Sequence, residues 1–238
     1  MEPAESFISH LIELRDRLLR AAIGFLVTLL ALLPFANELY SRLARPLLSQ
    51  LPAGGKMIAT SVTTPFFVPL KVAMLAAVMI SLPFTLYQLW AFIAPGLYQH
   101  EKRFVLPMVL MSTLLFFAGM AFAFFLVLPL VFGFMTGTAP EGVAVMTDIG
   151  NYLDFVITLF LAFGIAFEVP VAVVLLVRLG WVSVETLRDI RSYVIVGAFV
   201  IGAIFTPPDV VSQVMLAVPL WLLYEAGILV SVLLAKPR

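Results

Sequence analysis

Leu89-Trp-Ala-Phe-Ile-Ala-Pro-Gly-Leu-Tyr-Gln-His-Glu-Lys-Arg-Phe104 packs four ionisable residues, His100, Glu101, Lys102 and Arg103, between two long uncharged runs. No Asp, Glu, Lys, Arg or His occurs from Val72 to Gln99, and none from Phe104 to Pro140. Runs of that length belong in a bilayer. The charged link therefore sits at a membrane surface, where it either anchors two helix ends or binds something.

The rest of the chain agrees with that setting. Its 63% hydrophobic and 12% charged residues and mean hydropathy of +1.11 depart from soluble domains, which carry about 25% charged residues. The sequence describes an all-α polytopic membrane protein, a single integral membrane domain over 1–238. A net charge of zero says nothing about partners here, because the placement of charge carries the information. With no cysteine, disulfides and thiol chemistry are absent. Met1-Glu-Pro-Ala-Glu-Ser6 lacks a basic n-region and a following small-residue cleavage site, so the first span is expected to stay in the mature protein.

Working outward, residues 6–20 space Phe7, Leu11, Leu14 and Leu18 as one helical face. The opposite face carries Glu13, Asp16, Arg17 and Arg20, and i,i+4 pairs are expected between Glu13 and Arg17 and between Asp16 and Arg20. This predicts an amphipathic surface helix. Six spans follow, at about 18–36, 66–94, 104–135, 152–177, 193–206 and 210–235. A short helix is expected over 38–43 and an extended segment over Met57 to Thr64. Pro83, Pro107 and Pro129 should bend their helices, since each removes a backbone donor. The fifth span, at roughly 21 Å, is too short to cross an ordinary bilayer upright.

Lys and Arg counts orient the spans. The N-terminal segment, the 95–103 link, the 178–192 link and the tail hold three, two, three and two, whereas the opposite links hold three, zero and zero. The positive-inside rule places both termini and Glu101 in the cytoplasm.

Within this frame a few polar groups invite functional readings. Glu168 lies deep in the fourth span. Inserting it ionised costs about 2.5–3.5 kcal/mol, and protonating it at pH 7 costs about 3.7 kcal/mol, so its charge state stays open. Glu13 and Glu101 either pair with neighbouring cations or accept arginines from another chain, to which a carboxylate offers two parallel hydrogen bonds. Thr206, Asp209 and Gln213 bracket Pro207-Pro208, where a capped hairpin needs only Asp209. There is no G-x-x-x-x-G-K-[ST], H-E-x-x-H or G-x-S-x-G, and the histidines are His10 and His100. No catalytic set, metal site or cofactor is implied, nor any nucleic-acid partner.

Several separated stretches make the chain resemble the TatC family, the multispanning subunit of the twin-arginine protein translocase. They are His10-Leu-Ile-Glu-Leu-Arg15, Met57-Ile-Ala-Thr60 with Pro65-Phe66, Tyr87-Gln-Leu-Trp-Ala-Phe-Ile-Ala-Pro95, Ala139-Pro-Glu-Gly142, Phe163-Gly-Ile-Ala-Phe-Glu-Val-Pro170, Arg191-Ser-Tyr-Val194 and Thr206-Pro-Pro-Asp209. The resemblance implies a bent, cupped bundle in the bacterial inner membrane. It implies a non-enzymatic receptor for folded cargo with twin-arginine signal peptides, driven by the proton-motive force. TatA, TatB and further copies of the chain would be its partners. By the same resemblance Glu13 and Glu101 bind the arginine pair, and Arg15 and Phe92 support that site. Pro46 and Phe66 matter in the first outer loop, Glu168 is the intramembrane polar residue, and Asp209 belongs to the last outer loop. Thr206 and Gln213 look like partner-helix contacts. The physics of Glu168 alone also suits a proton-coupled small-solute carrier.

Overall fold

The structure, a computed structural model, describes residues 3–45, 57–93, 105–137, 147–205 and 210–234. Its named elements are all helical: α1 (Pro3–Leu32), a 3-10 turn (Leu33–Phe35), α2 (Ala36–Leu43), α3 (Thr64–Ile93), α4 (Val105–Phe122), α5 (Leu128–Gly137), α6 (Ile149–Phe167), α7 (Val169–Arg178), α8 (Val184–Asp189), α9 (Arg191–Phe205) and α10 (Val210–Leu234). Among the described residues five helical stretches are long and apolar enough to cross a membrane, Ile8–Leu43, Thr64–Ile93, Leu106–Phe134, Ile149–Arg178 and Gln213–Leu234. The 15-residue α9 is a shorter apolar helix, about 22 Å long.

Large apolar side chains stand on the outside of these helices, among them Leu18, Ile23, Val27 and Leu30 on α1, Leu110 and Leu114 on α4, and Val200 and Ile204 on α9. A water-soluble protein does not expose apolar surface on that scale. Lipid is the solvent these faces require.

The chain packs as two compact units, one of Met1–Arg42 and Pro65–Thr113, the other of Leu43–Thr64 and Leu114–Arg238. In the first unit the amphipathic stretch and the first span, expected as two elements, run on as one helix, because residues 6–20 contain no Gly or Pro to break them. Pro34 has no N–H to donate to the Leu30 carbonyl, and the chain tightens there into the 3-10 turn. α1 meets α3 at Gly24 and at His10. The Phe84 ring lies where a Cβ on Gly24 would come within 2.9 Å, and His10 stacks on Phe92 at 4.3 Å between ring centroids. α3 meets α4 through Trp90, whose Nε1–H donates to Ser112 Oγ at 3.1 Å.

The second unit is built on close helix approaches. Gly119 of α4 lies against the Phe163 carbonyl of α6, and Gly164 of α6 takes the Phe116 ring. Gly227 of α10 lies against Pro170 and Val173 of α7. Small residues let helix backbones approach where lipid supplies no hydrophobic drive. Tyr224, Ile228, Val173 and Leu187 form a buried cluster joining α10, α7 and α8, and Tyr224 Oη donates to the Leu187 carbonyl at 2.7 Å. α7 ends at Gly180, whose φ of 71° suits a left-handed helix cap.

Two prolines change the helices locally. Pro129 cannot donate to the Phe125 carbonyl, and the preceding residues Ala123–Val127 widen into a π turn in which the Leu128 amide reaches back to Ala123. Pro170 likewise lacks the donor that would reach Ala166. The fourth span, expected as one helix, is therefore interrupted at Glu168, which ends α6 and begins α7.

Candidate functional site

The residues proposed from sequence fall into separate places. In the first unit, His10, Glu13, Arg17 and Gly24 recur at the 3–4 spacing of one α1 stripe. Because His10 and Gly24 touch α3, the stripe is the α1–α3 seam. Between those contacts Arg17 donates to Glu13 Oε1 from Nε at 2.9 Å and from Nη2 at 2.6 Å. The pair is partly sheltered, with side-chain exposures of 21% for Arg17 and 36% for Glu13. On α3, Phe84 and Phe92, which meet Gly24 and His10, share one stripe with Gln88. Gln88 is 6% exposed, and its Oε1 receives no hydrogen bond among the described residues.

The second expected α1 pair differs. Asp16 accepts from its neighbour Arg15, at 3.0 Å from Nε and 2.8 Å from Nη2, rather than from Arg20. Arg15, a candidate on sequence, is thus engaged on the exposed face, away from the seam that holds Glu13. Phe66 of α3 is 71% exposed and makes an edge contact with Phe67 at 5.3 Å. Pro46, Glu101, Thr206 and Asp209 lie outside the described residues.

In the second unit Glu168 occupies the break between α6 and α7. Its backbone amide bonds to the Ile165 carbonyl at 3.0 Å and its carbonyl accepts from Ala172 at 3.0 Å. The residue is half-buried, and its Oε1 is buried. A proline-broken turn puts the carboxylate where the backbone is already irregular, a place that membrane helices reserve for protein-lined surroundings. Gln213 of α10 uses its Nε2 to bond the Phe199 carbonyl of α9 at 3.0 Å.

Sequence reasoning missed Asp148. The extended segment Met57–Thr60 pairs with it by a bridge at Ile58, through Ile58 N to Thr147 O at 3.0 Å and Ile149 N to Ile58 O at 2.9 Å. Asp148 Oδ2 accepts from the Thr60 amide at 2.9 Å and hydroxyl at 2.7 Å. Its Oδ1 accepts from Gly150 N and Asn151 N at the head of α6. The overlooked signal was an Asp standing immediately before a long apolar run, which is N-cap chemistry.

The Asn151 amide, then the Thr60 hydroxyl and amide, hold the Asp148 carboxyl down at about 2 against an ordinary value of 3.8. A depressed folded-state pKa means that its stabilisation is complete above the ordinary value and is lost as pH falls through about 2. Asp148→Ala is expected to lower the Tm of the detergent-solubilised protein at pH 7. Thermal unfolding followed downward in pH should show the gap to wild type closing between the ordinary value and about 2.

Lipid-facing apolar helices, a partly sheltered ion pair on α1 and a carboxylate at a break within an apolar span define a polytopic helical membrane protein. Among the described residues no group of His, Cys, Asp or Glu gathers to hold a metal ion. A family model for the Sec-independent protein translocase protein TatC matches residues 9–219. Similar proteins include the Escherichia coli K12 Sec-independent protein translocase protein TatC, 54% identical over 97% of this chain and 90% of that protein. The Aquifex aeolicus TatC is 41% identical over 96% and 95%. The crystal structure of the twin arginine translocase receptor TatC matches with a TM-score of 0.80 and 41% identity, over 95% of this chain and 100% of that one. The chain belongs to the TatC family. It is a multipass inner-membrane subunit of a Sec-independent, twin-arginine protein translocase, and the small-solute carrier finds no support.

Proposed function

We propose that this subunit is the signal-peptide receptor of its translocase and that Glu13, with Glu101, takes the arginine pair. The observation that carries the reading is the Glu13 carboxylate on the α1–α3 seam. One oxygen is held by Arg17, while Oε2 accepts no hydrogen bond among the described residues. Phe92, stacked on His10 one turn earlier on the same seam, offers an apolar shelf beside it. The charge count supports both termini in the cytoplasm and six spans in one integral domain. Arg15 supports the cytoplasmic face, and Pro46, Phe66 and Asp209 serve the opposite loops. Glu168 serves the intramembrane path, and Thr206 and Gln213 meet the single-helix partners TatA and TatB. Transport of folded cargo is driven by the proton-motive force and needs no catalytic chemistry from this chain.

A hydrogen bond to a charged group contributes about 1.5–3 kcal/mol, whereas micromolar binding needs about 8 kcal/mol. The arginines therefore set specificity, and the apolar segment of the signal peptide supplies much of the affinity. Glu13→Gln should weaken binding of a twin-Arg signal peptide by roughly tenfold to a hundredfold, read by fluorescence anisotropy on the purified chain in lipid nanodiscs. A twin-Lys peptide should bind wild type more weakly than the twin-Arg peptide. Equal affinities for the two peptides, together with an unaffected Glu13→Gln variant, would overturn the receptor reading of this carboxylate. Crosslinking from position 101 in native membranes tests the second glutamate in the same way.

A further inference from the structure

The proposed receptor carboxylate is already occupied by an arginine of its own helix. Arg17 presents two donors of one guanidinium, Nε at 2.9 Å and Nη2 at 2.6 Å, to the same Glu13 oxygen. The other ion pairs seen on α1 and α2 among the described residues lie in the open, at 67% and 45% side-chain exposure for Arg15–Asp16 and 68% and 60% for Arg42–Glu38. Arg17, at 21%, is the most covered of these cations. Along α1 it lies between the residues that meet α3, His10 and Gly24. A pair in that position is screened less by solvent than an exposed helix pair.

We infer that Arg17 is an internal competitor for Glu13 and thereby a specificity-determining residue of the receptor. The inference rests on the assignment of Glu13 to the signal-peptide site. An incoming side chain that needs both carboxylate oxygens must displace Arg17 from Oε1, and a second planar guanidinium does so with two parallel donors, one for each oxygen. A lysine ammonium is a compact charge on a flexible stem and cannot match that geometry. It is left with Oε2 alone, beside a guanidinium that repels it. Arg17 therefore lowers the affinity of every cationic ligand and lowers that of lysine ligands most. Discrimination between arginine and lysine is set in part by what already holds the carboxylate.

Two substitutions separate the fork from the charge. Arg17→Gln removes both, and Arg17→Lys keeps the charge while removing the fork. The probes are two synthetic signal peptides with the same apolar segment, one carrying Arg-Arg and the other Lys-Lys, titrated into the full chain in phosphatidylethanolamine/phosphatidylglycerol nanodiscs. Arg17→Gln is expected to bind the twin-Arg peptide roughly three- to tenfold more tightly and the twin-Lys peptide by a larger factor, so that the Arg/Lys ratio falls. Arg17→Lys should keep a measurable part of that fall. A purely structural role for the ion pair predicts weaker binding, so a gain is the diagnostic result.

Unchanged or weakened binding in a monodisperse Arg17→Gln protein overturns the inference. So does an unchanged Arg/Lys ratio, or an Arg17→Lys variant that behaves as wild type, because then charge alone acts. The gain must also vanish when Glu13→Gln is added; if it persists, Arg17 does not act through Glu13. An outcome in which Glu13→Gln by itself leaves both peptides unaffected removes the underlying site assignment, and the inference with it. That failure is distinct from a Glu13-dependent site in which Arg17 is silent.

Discussion

Gly119→Val is expected to leave almost no folded protein in the membrane, and Gly119→Ala to lower Tm by roughly 2–10 °C. A Cβ added at Gly119 would stand 2.3 Å from the Phe163 carbonyl oxygen and 2.8 Å from its carbon, with Phe167 Cγ at 3.0 Å. Two of these atoms belong to a helix backbone and cannot swing aside as a side-chain tip can. Separating α4 from α6 is the way to admit the methyl, and that would loosen Phe163, which is 1% exposed, and the neighbouring Phe122 ring. Overpacking costs about 1–3 kcal/mol and more where nothing yields, against a total stability of about 5–15 kcal/mol. Helix propensity favours alanine over glycine by about 1 kcal/mol, so the two effects oppose and the steric one wins. Gly197→Ala is the control: nothing lies within 4 Å of its added Cβ, so it should be neutral or slightly stabilising. Fluorescence-detected size exclusion of a fusion protein, with a thermal ramp, measures all three. A wild-type profile for Gly119→Val would mean that α4 and α6 do not approach as described.

That contact shows where sequence legibility ends. Uncharged runs announced the long helices, because hydropathy is a sum over many residues and survives local error. The Glu13–Arg17 pair was legible for the same reason that helical spacing is: i and i+4 meet on one face. Asp16 was equally placed for Arg20, yet it bonds Arg15, since on an exposed face several partners compete within a few tenths of a kcal/mol. Which backbone carbonyl a glycine meets depends on the crossing of two helices, and neither sequence encodes that by itself. The interruption at Glu168 was more accessible. Pro170 stood two residues away, and a missing donor inside a span predicts a break, but the length of the apolar run concealed it. Asp148 to Thr60 joins residues 88 apart, a pairing that no local pattern announces. Of the residues implied by family resemblance, Glu13 and Phe92 lie on the α1–α3 seam, while Arg15 faces Asp16 instead.

Trp90→Ala should be the most damaging substitution in the first unit and should carry peptide binding down with it. Trp90 is 8% exposed, and its indole N–H donates at 3.1 Å to Ser112, which is 0% exposed. Truncating a buried tryptophan costs about 3–5 kcal/mol, a Tm loss of roughly 6–20 °C for a chain of this size. Trp90→Phe keeps most of the volume and forfeits the hydrogen bond, costing about 1–2 kcal/mol. The functional consequence follows from helical phase. Trp90 and Phe92 are two residues apart and so point to different sides of α3. The first fastens α3 to α4, and the second stacks on His10 beside the Glu13–Arg17 pair. Loosening the α4 side frees the helix that presents Phe92 to α1. Tm and twin-Arg peptide affinity measured on the same preparations should therefore fall together in Trp90→Ala, and both should fall less in Trp90→Phe. A Trp90→Phe, Ser112→Ala double-mutant cycle isolates the hydrogen bond. If the bond fastens the helices, the double variant costs less than the sum of the singles; strict additivity would show that Trp90 acts by volume alone.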